Sequence, residues 1–115
     1  MTLKRANRLR KTSDFAAVRR GGRSWADSML VLNALPNDAQ ASRFGFAVSK
    51  RLGNAVERNR IRRRLKAALA SADVKCGWDV VVVARQRARY AGYHSLEGSI
   101  NRLLQRAELI RRPCR

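Results

Sequence analysis

The sequence predicts one two-layer domain of the α/β or α+β class, in the order helix, two or three strands, helix, strand, helix. Alternating apolar residues at 28–35 and 43–49 are typical of strands, and apolar residues at helical spacing indicate helices at 56–72 and 94–108. A continuous valine-rich run at 78–84 predicts a strand that is covered on both faces or paired in parallel. The 115 residues suffice for one hydrophobic core and not for two.

The first helix is predicted from its capping signals. Ser13 is the expected N-cap, Asp14 supplies an acid in the first turn, and Gly21-Gly22 ends the helix. Phe15 and Val18 give it an apolar edge.

The two strands that follow each have two different faces. In the first, the alternating faces are Leu30, Leu32 and Ala34 against Met29, Val31 and Asn33. In the second, a large apolar face of Phe44, Phe46 and Val48 stands opposite the small side chains of Gly45, Ala47 and Ser49. A small-residue face either lies under a helix or leaves room for a bound chain to approach the sheet.

The second half begins with a loop around Gly53-Asn54 and the helix at 56–72. The apolar stripe of this helix consists of Ile61, Leu65 and Leu69, with Ala68 and Ala72. A basic loop at 85–92 precedes the last helix. We expect Trp25 and Trp78, which flank strands, to belong to the core.

The charge indicates a polyanionic partner. The chain has 26 Lys+Arg against 8 Asp+Glu, a net charge of +18, and 21 of the basic residues are arginine. Guanidinium groups make paired contacts with phosphate and stack on bases, which favours nucleic acid over a membrane surface. No apolar run is long enough to span a bilayer. Cys76 and Cys114 are too few for a disulfide framework or a zinc site, so we expect a soluble intracellular domain.

The strongest local signal is the segment 50–66, in which eight of seventeen residues are basic and only Glu57 is acidic. Arg58, Arg62 and Lys66 share one helix face, and like charges at this spacing destabilise an isolated helix. Phosphates are therefore expected to supply the missing negative charge. If about six phosphates are bound, the logarithm of the binding constant should fall with the logarithm of the salt concentration with a slope near −5.

Catalytic residues are not evident. His94 is the single histidine and is expected to have a surface or capping role, and the eight acids include no close pair that would hold two metal ions. No nucleophile with its base can be assembled, so an independent nuclease is excluded.

The segment around this helix resembles the signature of the bacterial ribonuclease P protein family. The matching run is Gly53-Asn54-Ala55-Val56-Glu57-Arg58-Asn59-Arg60, preceded by Val48-Ser49-Lys50 and followed by Ile61-Arg62-Arg63. The resemblance extends over nearly the whole chain. It implies a two-layer αβββαβα sandwich with a left-handed βαβ crossover, like the second domain of a small-subunit ribosomal protein.

The resemblance also implies the function. A member of this family would bind the catalytic RNA of ribonuclease P and the 5′ leader of precursor tRNA. The holoenzyme removes that leader, with the chemistry and the Mg²⁺ belonging to the RNA and no catalytic residue or metal on the protein. We accordingly expect 1–115 to be one RNA-binding domain with flexible ends at 1–8 and 109–115, in the bacterial cytoplasm, with no membrane partner and no small-molecule substrate.

Two sets of site residues follow from the same resemblance. The surface for the catalytic RNA would comprise Lys50, Arg51, Arg58, Asn59, Arg60, Arg62, Arg63 and Lys66. The leader cleft would comprise Phe15, Arg19, Val31, Asn33, Ala47 and Ser49, with Phe15 stacking on a leader base or serving as a core side chain. Arg19 and Asn33 stand where the family often has aromatics, which suggests a cleft that relies more on charge and hydrogen bonds.

The alternative is a small structural ribosomal protein, because size, charge and element order fit both classes. Only the motif separates the two readings. A nucleoid DNA-binding protein fits less well, since no helix-turn-helix is evident.

Overall fold

The computed structural model describes residues 9, 12–37, 42–72, 74–75 and 77–109. The basic residues of the first eight positions, both cysteines and the expected flexible end at 110–115 lie outside the described residues. Leu109, where that end was expected to begin, is buried against the core.

The elements follow the predicted order αβββαβα. They are α1 (Thr12–Gly21), β1 (Arg23–Ala26), β2 (Leu30–Pro36), β3 (Arg43–Ala47), α2 (Ala55–Ser71), β4 (Trp78–Ala84) and α3 (Tyr93–Arg106). Two 3₁₀ turns join them: the first turn (Lys50–Leu52) precedes α2, and the second turn (Gln86–Tyr90) follows β4.

Several boundaries differ from the sequence predictions for local reasons. Helix α1 begins at Thr12, two residues before the start that a cap at Ser13 implies, so Ser13 lies inside its first turn. Ser28 and Met29 belong to a tight turn rather than to β2, because the Asp27 carboxylate accepts hydrogen bonds of 2.8 Å from the backbone N–H groups of Met29 and Leu30. The expected basic loop at 85–92 contains the second 3₁₀ turn, whose Ala88 is fully buried.

The four strands form one mixed sheet in the order β1-β2-β4-β3. β2 pairs antiparallel with β1 and β4, whereas β3 pairs in parallel with β4. The chain therefore runs from β3 through α2 into the neighbouring parallel strand, which makes a βαβ unit. The left hand of this crossover stays a prediction.

The main core lies between one sheet face and helices α2 and α3. It joins the alternate strand residues Leu30, Leu32, Phe44, Val80 and Val82 to the apolar stripes of both helices. Helix α3 packs over β1 and β2 and against α2, and the α2 stripe shares the core with Phe44 of β3 and Val80 of β4. The two tryptophans pack against this core, as expected.

Helix α1 lies on the opposite sheet face, where it forms a smaller apolar cluster. Val18 and Val81 are fully buried there with Leu9, and Phe15, Leu35 and Val83 pack around them. This helix leaves part of the face uncovered, and that part becomes the cleft described below.

Candidate nucleic-acid interface

Helix α2 starts at a well-defined cap. The Asn54 side chain accepts a hydrogen bond of 2.9 Å from the Glu57 backbone, and the Glu57 carboxylate accepts one of 3.1 Å from the Asn54 backbone N–H. Gly53 precedes the cap at φ +127°, a conformation that side-chain-bearing residues rarely adopt. The pKa of Glu57 is lowered, first by the hydrogen bond from Asn54 and then by nearby Arg89 and Arg60. The only acid of the basic segment is therefore used to begin the helix.

The three residues of the motif project in different directions. Consecutive residues of an α-helix are about 100° apart, so Arg58, Asn59 and Arg60 cannot lie on one narrow face. Asn59 and Arg60 are exposed, whereas the Arg58 Nε is shielded from solvent and has no hydrogen-bond partner among the described residues. The Arg58 side chain is thus held against the protein, and that of Arg60 reaches into solvent.

The two flanks of α2 have different neighbours. On one flank Arg64 donates a hydrogen bond of 2.7 Å to the Ala91 carbonyl, and Glu57 lies 3.4 Å from Arg89, both contacts being with the segment after β4. Arg62 and Lys66 share the other flank with Arg58, because residues four apart lie on the same helix face. Arg62 also donates to the Asn59 side chain at 3.0 Å.

The basic surface continues beyond the helix into the first 3₁₀ turn. Lys50 and Arg51 are exposed there, next to exposed Ser49, whose hydroxyl accepts a hydrogen bond from the Arg51 backbone at 3.2 Å. Arg63 is also exposed on α2. We call the eight residues predicted for the catalytic RNA the α2 surface; they lie on α2 and on the 3₁₀ turn that precedes it: Lys50, Arg51, Arg58, Asn59, Arg60, Arg62, Arg63 and Lys66.

The register of the sheet builds the floor of a cleft on the opposite face. Val31 pairs with Val83, and Val83 pairs with Ala47, so the three side chains form one row across β2, β4 and β3. All three are half-buried. Asn33 lies in the next row, opposite Ser24 of β1. Val83 was missed from the sequence, although the alternation within β4 would place it on this face.

Helix α1 forms one wall of this cleft. The ring of Phe15 lies directly above Gly45, where a Cβ atom would stand 2.5 Å from the ring Cζ. Phe15 is half-buried, so it packs on the sheet and also borders the open floor. Arg19 is exposed one helical turn later on the same side of α1. The sequence-predicted residues Phe15, Arg19, Val31, Asn33, Ala47 and Ser49 thus lie on the α1 side of the sheet or at its end.

An ion-pair network holds α1 to the sheet. Arg43 makes two hydrogen bonds with the buried Asp79, at 2.9 and 2.7 Å, and lies 3.8 Å from Asp14 of α1. Burial acts to raise the pKa of Asp79, but hydrogen bonds from Arg43 and Asn37 outweigh it and hold the pKa below its usual value. Both carboxylates therefore neutralise one structural arginine, Arg43.

The described residues contain no group of three or more His, Cys, Asp or Glu side chains that could hold a metal ion. His94 is 95% exposed near the start of α3, 3.8 Å from Glu97. Within the same residues, no helix is long and apolar enough to cross a membrane.

Comparisons with known proteins show which family this chain belongs to. A family model described as ribonuclease P matches residues 3–108. The chain belongs to the ribonuclease P protein family. The ribonuclease P protein component of Roseiflexus castenholzii is 48% identical over 111 residues, covering 94% of this chain and 91% of that one. That of Clostridioides difficile is 37% identical, covering 95% and 98%.

Solved structures agree with this assignment. The ribonuclease P protein of Staphylococcus aureus superposes with a TM-score of 0.84 at 30% identity, over 93% of this chain and all of that one. The protein from Thermotoga maritima gives a TM-score of 0.79 at 25% identity, over 86% and 96%. The predicted fold class is confirmed.

The family settles the choice between the two functions that the sequence left open. The chain functions as the protein subunit of ribonuclease P, an endoribonuclease holoenzyme of bacterial tRNA processing, and its partner is RNA. The alternative of a small structural ribosomal protein is not supported.

Proposed function

We propose that the protein uses its two surfaces for two different RNAs, with the α2 surface on the catalytic RNA and the cleft on the 5′ leader of precursor tRNA. The observation that supports this division is that helix α2 and the cleft floor lie on opposite faces of the sheet. A duplex-like RNA on α2 and a single strand on the cleft floor could then be bound together.

The chemistry of each surface fits its proposed ligand. The α2 surface offers exposed guanidinium groups, which bind phosphates without reading sequence. The cleft floor offers small and half-buried side chains beside an aromatic ring, and stacking of one base on such a ring contributes about 1–3 kcal/mol. The amide of Asn33 can hydrogen-bond a base edge, and Arg19 can meet a phosphate.

We assign the bond cleavage to the RNA subunit and its Mg²⁺ ions. The acids that the structure describes at the two surfaces already serve the fold: Glu57 caps α2, and Asp14 and Asp79 flank Arg43. In this proposal the protein raises affinity for the precursor, at low Mg²⁺ above all, and needs no small-molecule substrate. It acts in the cytoplasm, where precursor tRNA is made.

The deciding experiment is reconstitution. The chain is mixed with its cognate catalytic RNA at low Mg²⁺, and cleavage of a precursor tRNA is measured against RNA alone. We expect stimulation by the wild-type chain, and no stimulation would contradict the proposal.

Two variants test the division between the surfaces. Phe15→Ala should raise the Kd for precursor tRNA with a leader and leave the Kd for mature tRNA unchanged. Arg60→Ala should weaken binding of the catalytic RNA and reduce the salt dependence of that binding. If Phe15→Ala weakened the binding of precursor and mature tRNA equally, the cleft would not be the leader site.

A further inference from the structure

The second 3₁₀ turn exposes an aromatic ring beside arginines. Among the residues that the structure describes, Val56 and Tyr90 are the large hydrophobic side chains left exposed, and Tyr90 is 81% exposed. The guanidinium carbon of Arg89 lies 5.2 Å from the centroid of the Tyr90 ring. A cation in this position is attracted by the ring and restricts its orientation.

The ring forms one side of an open groove of about 420 Å³. Its lining consists of Ser28, Met29, Arg87, Tyr90, Ala91 and Ser95. The lining combines an apolar thioether, two hydroxyl groups and a guanidinium group with the phenol ring. These groups suit one nucleotide, because a base needs a flat apolar partner and edge hydrogen bonds, and its phosphate needs a cation.

The turn is fixed in place by its contacts with the rest of the protein. Ala88 is fully buried, the Ala91 carbonyl accepts the hydrogen bond from Arg64, and Arg89 pairs with Glu57 at the start of α2. The backbone that carries Tyr90 is therefore already ordered before binding. Preorganisation of this kind lowers the entropic cost of association.

The charge around the groove favours a polyanion. The segment 85–92 contains Arg85, Arg87 and Arg89 and no acid. Arg89 pairs with Glu57 and Arg85 donates to the Asp27 carbonyl, so Arg87 is the cation of the groove lining. The segment packs against the flank of α2 that carries Arg64 and Glu57. The cleft proposed for the leader lies on the other sheet face.

We propose that this groove binds an unpaired nucleotide of the catalytic RNA, with its base stacked on Tyr90 and its phosphate on Arg87. The inference rests on the proposed binding of the catalytic RNA by α2, since Ala91 of the groove accepts the hydrogen bond from Arg64 of that helix. It adds a site that reads unpaired RNA to a surface that otherwise contacts phosphates.

Binding of the full-length chain to the catalytic RNA tests the site. Tyr90→Ala should weaken binding about 5- to 150-fold, the range expected for one stacked base. The salt slope should stay unchanged because the ring is uncharged, whereas Arg87→Ala should reduce the slope by about one. Tyr90→Phe keeps the ring and should bind as the wild type does, and Gln105→Ala, an exposed change on α3, is the control.

The results can refute the site without refuting the function. If the wild type stimulates cleavage but Tyr90→Ala binds the catalytic RNA equally well, the groove is not a stacking site and the proposed function stands. If Tyr90→Phe loses as much affinity for the catalytic RNA as Tyr90→Ala does, the aromatic ring is not the contact and the stacking proposal fails. If the wild type gives no stimulation, the proposed function itself fails.

Photocrosslinking identifies the source of the nucleotide. With p-benzoylphenylalanine in place of Tyr90, crosslinks should map to an unpaired nucleotide of the catalytic RNA in the assembled holoenzyme. Crosslinks to the precursor leader, or to no RNA, would overturn the assignment.

Discussion

Adding a methyl group at Gly45 should disturb the cleft through Phe15. The Cβ of an alanine there would lie 2.5 and 2.7 Å from the Phe15 Cζ and Cε1 atoms, and 3.2 Å from the Leu9 Cβ. Ordinary contact begins near 3.4 Å, so the ring must retreat by about 0.9 Å. It packs beside the fully buried Val18, and crowding of this kind costs about 1–3 kcal/mol.

A double-mutant cycle isolates this cost. Replacing a strand glycine by alanine brings an intrinsic gain of roughly 0.5–1 kcal/mol, which masks part of the clash in the single variant. Gly45→Ala is therefore compared in the wild type and in Phe15→Ala, by urea unfolding followed through the fluorescence of Trp25 and Trp78. We expect a coupling energy of about 1–3 kcal/mol, because the smaller side chain at position 15 removes the main clash.

The same variant links packing to the proposed function. Displacing the Phe15 ring should raise the Kd for precursor tRNA with a leader and leave that for mature tRNA unchanged. A free-energy cost of Gly45→Ala that is equal in both backgrounds would refute the contact, and an unchanged leader affinity would refute its role in the cleft.

Three further variants test the fold and the α2 surface. Asp79→Asn should destabilise the protein at neutral pH, because the lowered pKa of Asp79 contributes folding stability above the usual carboxyl pKa of about 4. That contribution is lost as the pH falls through the pKa of the folded state, so the stability of the variant should decrease less on acidification than that of the wild type. Urea unfolding midpoints measured from about pH 2 to about pH 7 check this, and equal pH dependence in the two proteins would contradict it. Asn54→Ala removes the capping box and should lower the free energy of unfolding by about 0.5–2 kcal/mol, and Asn54→Ser should largely restore it. An unchanged urea midpoint in Asn54→Ala would show that the cap does not stabilise the protein. Arg60→Ala should lower the salt slope of binding to the catalytic RNA by about one without changing the urea midpoint. The charge-matched Arg102→Ala on α3 should leave that slope unchanged, and equal slopes in the two variants would show that Arg60 does not contact the RNA.

The local elements were predictable because each depends on neighbours in sequence. Alternation assigned the faces of β2 and β3, and the stripe of Ile61 and Leu65 fixed the buried side of α2. The strand β1 was not located, since four residues with the exposed Arg23 and Ser24 give too short a pattern. Its pairing depends on the turn that Asp27 closes.

The sequence by itself determined that this is a basic α/β domain whose α2 segment has an uncompensated positive charge, because residue composition and helical periodicity are properties of the chain. The tertiary structure decided which residues meet across the sheet. Only the order β1-β2-β4-β3 brings Val83 between Val31 and Ala47 to form the cleft floor. Only the packing of distant segments sets Phe15 on Gly45, and Arg89 between Glu57 and Tyr90. Such contacts depend on strand pairing over long separations, which no local pattern encodes.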